Sequence, residues 1–481
     1  MHDLEFYHYC AGPTLASRFD NEFWSRISLQ MAYTEPAVRH ALVALGYLSR
    51  QETGSLKHAR LGFTNGDKRK LFLLHYNKSV RHLVHRIAEP SYSPEIGLVT
   101  CVLFVCIEFL RADYHTAFTH MRNGLKIISE LRQTRQTDSP IQTPEGIQSG
   151  STTPTDMIEE KLVPMFIRGM ASALLYGVSV EDDFAVPCPL PQSFQERRFT
   201  SIREAQSSYH EIRNAAIVFT RQMAIKLIQL IPVTVEDFLR RYGILECHRA
   251  WYEAFQELEC SQILSLEDKV TISALKLSYY ATYIFAACAT DVRQMSFDAH
   301  LSSFKALLHH AKIVFNFMDL GNLEDPQAKP SSRSAAANFT FEISIIPSLY
   351  FTATRCRCPT TRREAVSLLS LNPPREGLWD PEQHVVVSNR VIEIEEMEVD
   401  EKGWPTEEMR LWSTVIDANM DQTGGFWVDF LPAKWVGSFD GEGRQRLRSE
   451  WFVLGEPWTS PPSRYSDPLR IMFSPNTAPL H

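Results

Sequence analysis

The strongest constraint on the fold lies in residues 93–131, which the sequence presents as two apolar helices joined by a short turn. Pro94 suits the first position of a helix, and Ser93 before it is a typical N-cap residue. In both helices, apolar residues recur at the three- and four-residue spacing of one helical face. These positions are Val99, Val102, Leu103, Cys106, Ile107 and Leu110 in the first helix, and Ala117, Met121, Leu125 and Ile128 in the second. A hairpin of this kind predicts a place inside an all-helical layer.

The turn between the two helices is predicted at Arg111-Ala112-Asp113, with Asp113 as the cap of the second helix. We expect Glu108, Arg111 and Asp113 to lock this turn. Gly124 is small enough to let a neighbouring helix approach closely. A bulky residue at Gly124 should therefore destabilise the domain.

Composition narrows the class of protein. The chain has 481 residues and a formal net charge of −8, which counts against DNA contact by this chain alone, since self-sufficient nucleic-acid binders are basic. No apolar run reaches the length of a membrane span, and the N-terminus lacks the basic and apolar regions of a secretory signal. We therefore expect a cytosolic or nuclear protein that does not bind membranes.

The search for catalytic and metal-binding patterns finds none. The nine cysteines include no pair with the two-residue gap of a zinc site, and Cys356-Arg357-Cys358 is too tight. His75 and His82 share a helical face, but no neighbouring acid or thiol completes a ligand set. The phosphate-binding, dinucleotide-binding and nucleophile-elbow motifs are also missing. We predict no catalytic, cofactor-binding or metal-ligating residues, no cofactor, and no enzymatic activity.

The predicted fold is mostly α-helical: an array of packed antiparallel helical hairpins with a small, Trp-rich mixed part at the C-terminus. Six segments are expected in the chain. They are an N-terminal helical part (1–132), a disordered Ser/Thr/Pro/Gly linker (133–156), a helical middle part (157–321), a second linker (322–338), a helical C-terminal part (339–420), and a Trp-rich, partly extended tail (421–481).

Several segments of the last third carry specific expectations. Residues 339–352 look helical, whereas 426–430 and 450–454 resemble short strands. The basic cluster at 355–363 leads into an apolar helix, so we expect its arginines to bond carboxylates or helix ends and not nucleic acid. The acidic run at 393–401 is interpreted as the solvated face of a helix.

Three stretches, in order, resemble the regulatory domain of the fungal binuclear zinc-cluster transcription factors, whose DNA-binding part carries six cysteines. The first is 19–24 (FDNEFW) leading into 35–46 (EPAVRHALVALG). The second is 75–81 (HYNKSVR) with the hairpin segments 103–108 (LFVCIE) and 120–125 (HMRNGL). The third is 350–357 (YFTATRCR) continuing to 362–365 (RREA) and 374–379 (PREGLW). Order and spacing agree over most of residues 1–420.

This resemblance implies a nuclear or nucleocytoplasmic regulator with a largely α-helical domain that restrains, dimerises or tunes an attached DNA-binding module. The zinc cluster of that family uses two Cys-x-x-Cys pairs in a short basic segment, and this sequence begins inside the regulatory domain. We therefore expect no residue here to inherit the zinc-ligand or base-contact roles. Either an upstream segment has been lost, or the chain works without its own DNA reader.

The leading functional prediction is transcription regulation through protein contacts or effector control, with secondary metabolism as a possible field. The expected partners are a DNA-binding partner or missing zinc-cluster module, a second copy in a homodimer, and a small-molecule effector. The alternatives are a helical interaction scaffold without a transcriptional role, and a small-molecule sensor or cryptic enzyme that uses a pocket between helices.

Overall fold

The computed structural model describes residues 2–16, 20–62, 66–137, 157–175, 198–320, 335–341, 345–421, 423–436 and 447–455. The chain divides into two units. Unit 1 comprises Met1–Ala173 and Pro330–Glu342, and unit 2 comprises Leu174–Lys329 and Ile343–His481. The predicted division into six segments stays a prediction.

Among the residues described in unit 1, the regular secondary structure is helical apart from one two-residue strand. Its helices are α1 (His2–Phe6), α2 (Gly12–Leu15), α3 (Ser28–Thr34), α4 (Pro36–Gln51), α5 (Leu56–Gly62), α6 (Gly66–Ile87), α7 (Pro94–Leu110), α8 (Tyr114–Thr137) and α9 (Val163–Leu175), with π-helical turns at Tyr7–Ala11, Phe23–Ile27 and Ile158–Leu162 and the strand β1 at Phe339–Thr340. Because α8 continues to Thr137, the predicted linker at 133–156 begins with helix; its remainder lies outside the described residues.

Helix α7 forms the centre of unit 1, with every residue from Glu95 to Leu110 buried. Helices α4, α6 and α8 pack around it. The predicted internal hairpin is thus confirmed for its first member, whereas α8 buries only one face, which includes Ala117, Met121 and Ile128. Pro94 lies at the start of α7 as predicted, but the Ser93 side chain makes no capping hydrogen bond.

The turn between α7 and α8 is held by the three residues that the sequence singled out. Arg111 Nη1 donates to Glu108 Oε2 (2.5 Å), and Asp113 Oδ1 accepts from the Thr116 amide (3.2 Å). Ala112 has a φ of +60°, and the Asp113 amide returns to the Glu108 carbonyl (2.9 Å). This pattern ends a helix in the left-handed conformation and satisfies its last carbonyls.

Residues 335–341 pack against other parts of unit 1, although the first four of them, 335–338, were predicted to be the end of the second linker. The Ala337 amide donates to the Ser49 carbonyl (2.9 Å) and the Asn338 amide to the Thr53 carbonyl (3.0 Å). Gly54, with φ +95°, makes this possible because a Cβ there would lie 2.4 Å from the Asn338 oxygen. Phe341 then buries its ring against Trp24 at a centroid distance of 5.6 Å.

Unit 2 combines long helices with a small sheet. Its helices are α10 (Ile202–Ile228), α11 (Val235–Ser261), α12 (Leu266–Cys288), α13 (Leu301–Leu320), α14 (Ile346–Arg355), α15 (Pro359–Leu369) and α16 (Pro381–Glu395); its strands are β2 (Arg375–Glu376), β3 (Leu411–Met420), β4 (Gly425–Pro432) and β5 (Arg448–Val453). Capping boxes start α11 at Thr234 and Asp237 and α12 at Ser265 and Asp268, so each first turn has its amide donors satisfied.

The sheet of unit 2 is an antiparallel meander in the order β3-β4-β5. Phe426 lies opposite Phe452 and Trp427 opposite Trp451, so aromatic pairs hold β4 to β5. Trp412 and Leu431 pack the sheet against Leu227 at the end of α10. The two strands predicted at 426–430 and 450–454 are confirmed.

The expected helix at 339–352 is only partly correct. Residues 339–340 form β1, and α14 begins at Ile346, one residue before Pro347. Proline is tolerated in the first turn of a helix and not in its interior, which fixes this start. The buried Glu376 carboxylate accepts from the Ile345 amide (2.9 Å) and the Ile346 amide (3.1 Å), so a negative charge complements the helix end.

The acidic run at 393–401 was predicted as a solvated helix face, and this is wrong at Glu395. This carboxylate is fully buried between Arg357 Nη2 (2.9 Å) and Arg362 Nη2 (2.7 Å), and it also accepts from the Leu411 amide (2.9 Å). Burial alone would raise the pKa of Glu395, but the two guanidinium charges outweigh it and hold that pKa below its ordinary value. The arginine cluster is structural, as predicted.

These observations confirm the predicted fold class, since the described residues are mostly helical with a small sheet towards the C-terminus. No helix in the part of the chain that the structure describes is long and apolar enough to cross a membrane.

Candidate functional site

A cavity of about 300 Å³ lies within unit 2. Helices α10, α12 and α14 and strand β3 form most of its walls, and Trp379, just before α16, and His384 on α16 complete them. Each of the first three helices contributes residues at the three- and four-residue spacing of a single face. These residues are Arg213, Ile217, Thr220, Arg221 and Ala224 on α10; Ser278, Ala281, Thr282 and Phe285 on α12; Pro347, Tyr350, Phe351 and Thr354 on α14; and Ser413, Thr414, Val415 and Ile416 on β3. Ligand cavities begin at about this size.

The cavity persists because its walls combine small side chains with rigid rings. Ala224 and Ala281 leave space on the facing surfaces of α10 and α12. Phe351 holds α14 in place through ring contacts with Phe285 (5.5 Å between centroids) and Phe304 (5.7 Å). Phe304 is fully buried, so this aromatic wall has little freedom to collapse into the space.

Three aromatic residues meet at one part of the wall. The ring of His384 lies edge-on to Tyr350 at 4.7 Å between centroids and near Trp379 at 4.8 Å. The Tyr350 hydroxyl oxygen is buried and has no hydrogen-bond partner among the described residues. A buried hydroxyl without a partner costs stability, so such a group in a cavity wall needs an explanation.

The His384 ring carries one donor nitrogen and one acceptor nitrogen. Its Nδ1 lies 2.7 Å from the Asp380 carbonyl oxygen, which can only accept, so Nδ1 carries the proton. Burial lowers the pKa of His384 to about 4, and the ring is therefore neutral at pH 7. In that tautomer Nε2 bears the lone pair. The aromatic corner thus offers one donor and one acceptor.

The charge of the cavity wall is positive. Arg213, Arg221 and Arg355 line it, and none of the described residues in the wall is an aspartate or glutamate. Arg355 donates to three neutral oxygens, including the Leu411 carbonyl (3.1 Å) and the Trp412 carbonyl (2.7 Å). Burial lowers the pKa of Arg355 to about 10, which leaves it a cation at neutral pH.

A second surface feature of unit 2 is an exposed apolar face at the start of α11. Val235, Phe238, Leu239 and Tyr242 are spaced three and four apart, and their exposed fractions range from 45% to 76%. Leu230, just before α11, extends the patch. Large exposed apolar patches with polar borders mark sites of protein contact.

The residues considered as metal ligands from the sequence do not form a metal site. His40 Nδ1 lies 3.0 Å from His75 Nδ1, and the His40 ring stacks on the His82 ring at 5.5 Å between centroids. His40 therefore joins His75 and His82, the two histidines considered from the sequence, in a cluster of three. Within the described ranges, however, no group of three or more His, Cys, Asp or Glu side chains is arranged to hold a metal ion. Cys356 is buried among apolar groups that include Ile284 and Phe304.

The sequence analysis did not identify the residues of this cavity, because they come from distant parts of the chain. Arg213, Ala281 and Tyr350 are widely separated in the chain, and each lies on a helix whose periodicity reports only that one face is buried. One signal in the sequence pointed to this region: Tyr350 and Trp379, which both line the cavity, are the first and last residues of the third stretch that resembles the fungal family.

Comparison with known proteins gives two matches. Residues 4–171 match the fungal specific transcription factor domain. The aspercryptin biosynthesis cluster-specific transcription regulator atnN of Emericella nidulans is 22% identical to this chain, over 76% of this chain and 69% of that protein. No solved structure matches the chain.

These matches confirm the predicted resemblance to fungal transcription-factor regulatory domains and support the predicted role in transcription regulation. They point to a regulator and not to an enzyme, and the family suggests a nuclear protein.

Proposed function

We propose that this transcription regulator, which carries the fungal specific transcription factor domain at residues 4–171, acts in the nucleus on the genes of one biosynthetic cluster. The domain match is the observation that carries the regulatory role. The cluster-specific part is supported by the similarity to a relative whose name describes a cluster-specific regulator. The chain reaches DNA through a DNA-binding partner or a zinc-cluster module, and it contributes protein contacts and effector control.

Transcript profiling of a strain that lacks the gene tests this proposal. We expect altered expression of a contiguous set of biosynthetic genes. Unchanged expression throughout the genome, under conditions in which the gene is transcribed, would contradict it.

The exposed face of α11 supports a second copy of the chain as a partner. Arg240 lies on the other side of α11, where its guanidinium stacks on Phe219 and donates to Gln222 of α10, so the exposed face itself is apolar. Two-fold pairing is the commonest symmetry of soluble oligomers, and it would bury the exposed side chains of both copies.

The homodimer has a direct mutational test. Leu239→Asp places a charge in the middle of the apolar face and should convert a dimer to a monomer, measured by light scattering after size-exclusion chromatography at micromolar concentration. Gln256→Asp, on an exposed position of the same helix, is the matched control and should remain dimeric. A wild-type chain that is monomeric at 50 µM, or a Leu239→Asp variant that stays dimeric, would refute this pairing.

A further inference from the structure

Two free cysteines lie at the junction between α14 and α15, where Cys356 ends the first helix and Cys358 is the N-cap residue of the second. Cys356 is only 2% exposed and belongs to an apolar cluster that includes Phe297 and Phe304. Cys358 is partly exposed and packs against the same cluster. One thiol of the pair is therefore open to solvent, and the other lies buried beside it.

The two thiols differ in reactivity. The Thr360 hydroxyl lies 3.3 Å from the Cys358 sulfur and can donate to it. Burial would raise the pKa of Cys358, but hydrogen bonds from Thr360 and Thr361 outweigh it and hold that pKa below its ordinary value. Burial raises the pKa of Cys356 to about 12, so this thiol stays protonated at neutral pH. Because the thiolate is the nucleophile, an oxidant reacts first with Cys358.

We propose that Cys356 and Cys358 form a peroxide-sensitive thiol pair that closes reversibly to a disulfide. The Cys358 thiolate attacks one oxygen of hydrogen peroxide, the O–O bond breaks, and hydroxide leaves, so that Cys358 becomes a sulfenic acid. The Cys356 sulfur then attacks the Cys358 sulfur, and the S–O bond breaks as the hydroxyl leaves with the Cys356 proton as water. Two thiols are oxidised to one disulfide, and one peroxide is reduced to two waters.

Chain geometry favours a bond between these two cysteines over a bond to another thiol. Cys356 and Cys358 both have extended backbone angles, and two residues of extended chain span at most about 7 Å. A disulfide joins Cα atoms about 4.4–6.8 Å apart, so a small bend at Arg357 is enough to close it. Cys288, a third thiol in the cluster, lies on α12 and is 4% exposed. Bonding to Cys288 would close a long loop, which costs more entropy.

Closing the bond acts on Arg357, the residue between the two cysteines. The buried guanidinium of Arg357 donates to Glu395 Oε1 (2.9 Å) and to the Leu411 carbonyl (3.2 Å). A backbone bend at Arg357 shifts this guanidinium away from the carboxylate, and a buried charge that loses its partner is strongly destabilising. Oxidation should therefore lower the stability of unit 2. The inference goes beyond the proposed function, because the regulator role does not involve these thiols.

Differential thiol labelling of the purified full chain tests the pair. The chain is treated with equimolar hydrogen peroxide, denatured in iodoacetamide to block free thiols, reduced, and labelled with N-ethylmaleimide. Cleavage after glutamate yields residues 343–364 as one peptide, in which Cys356 and Cys358 are the only cysteines. We expect two N-ethylmaleimide groups on this peptide, and iodoacetamide on Cys288 and on the exposed Cys260. The proposal is overturned if the peptide carries one N-ethylmaleimide group or none.

Three variants test the order of reaction. Cys356→Ala should leave Cys358 as a sulfenic acid, which dimedone captures, because the second thiol is missing. Cys358→Ser should protect Cys356, because a buried, protonated thiol reacts slowly. Cys260→Ser removes an exposed cysteine outside the cluster and should leave the labelling of the pair unchanged. Oxidation of Cys356 to the wild-type extent in Cys358→Ser, or no dimedone adduct in Cys356→Ala, would refute the assigned roles.

The structural consequence is measured on the same samples. Peroxide should lower the Tm of the wild-type chain by about 5 °C and accelerate hydrogen exchange of the Leu411 amide, which donates to Glu395. Dithiothreitol should reverse both changes, and the double variant Cys356→Ala/Cys358→Ser should show neither. A chain with the disulfide but an unchanged Tm would refute the link to Arg357. None of these measurements depends on transcription, so the thiol pair and the regulator role fail separately.

Discussion

Glu395→Gln is expected to lower the free energy of unfolding of unit 2 by about 3–5 kcal/mol, because it removes the counter-charge of two fully buried guanidinium groups. Glutamine has nearly the same shape as glutamate, so the loss reports the charge and not a cavity. The Leu411 amide donates to the same carboxylate, and hydrogen exchange of the first residues of β3 should accelerate with the loss of stability. Denaturant titration followed by hydrogen-exchange mass spectrometry measures both effects.

Glu396→Gln is the matched control for this variant. Glu396 is the next residue, and its closest partner is Arg363, which is half exposed; its contact with the buried Arg362 is longer, at 3.8 Å. Solvent-accessible ion pairs contribute about 1 kcal/mol or less, so a small effect is expected here. Equal effects of the two substitutions would show that the buried pair does not hold α15 and α16 together.

The pH dependence of the Glu395 effect has a defined sign. The pKa of Glu395 lies below its ordinary value of 4.5, so the folded state favours the ionised form. The stabilisation is then fully present above about pH 4.5 and is lost as pH falls through the lowered pKa. The difference between the wild-type chain and Glu395→Gln should shrink below pH 4.5. A constant difference down to pH 3 would contradict the assigned charge state.

Gly124→Leu is expected to lower the free energy of unfolding of unit 1 by several kcal/mol. This exceeds the cost of about 1–3 kcal/mol that is typical of overpacking a single core site. A Cβ at Gly124 would lie 2.1 Å from the Phe166 ring, which is itself only 1% exposed and has no free space to move into. Even Gly124→Ala should be destabilising, although alanine is the better helix former. Thermal unfolding and local hydrogen exchange in α8 measure the effect.

Asn123→Ala controls for the helix itself, since Asn123 is the exposed neighbour of Gly124 and its replacement should change stability little or favourably. The clash has a rescue test as well. In the double variant Gly124→Ala/Phe166→Leu, the smaller side chain makes room for the new methyl group, so the two effects should be less than additive. Strict additivity would mean that Gly124 and Phe166 do not touch.

The sequence predicted what depends on local periodicity. The spacing of Val99, Cys106 and Leu110 was enough to place α7 in the core, and the aromatic clusters around Trp427 and Trp451 were enough to predict two strands. These features are set by residues a few positions apart, where helical and extended backbones differ in their side-chain period.

Features that depend on distant partners were not predictable in the same way. Nothing near Glu395 shows that Arg357, 38 positions earlier in the chain, will enclose it. The acidic neighbours of Glu395 instead suggested a solvated helix face. The cavity depends on five elements between residues 213 and 416, and periodicity describes the four helices among them only as buried on one side.

Transcript profiling after deletion of the gene tests the central claim most directly, because regulation of transcription is what the domain match supports. The profile is compared with the parent strain and with a strain in which the wild-type gene is restored. The account predicts that one contiguous group of biosynthetic genes changes on deletion and returns on restoration. If transcripts of the deletion strain equal those of the parent strain in every condition that expresses the gene, the chain is not a transcription regulator.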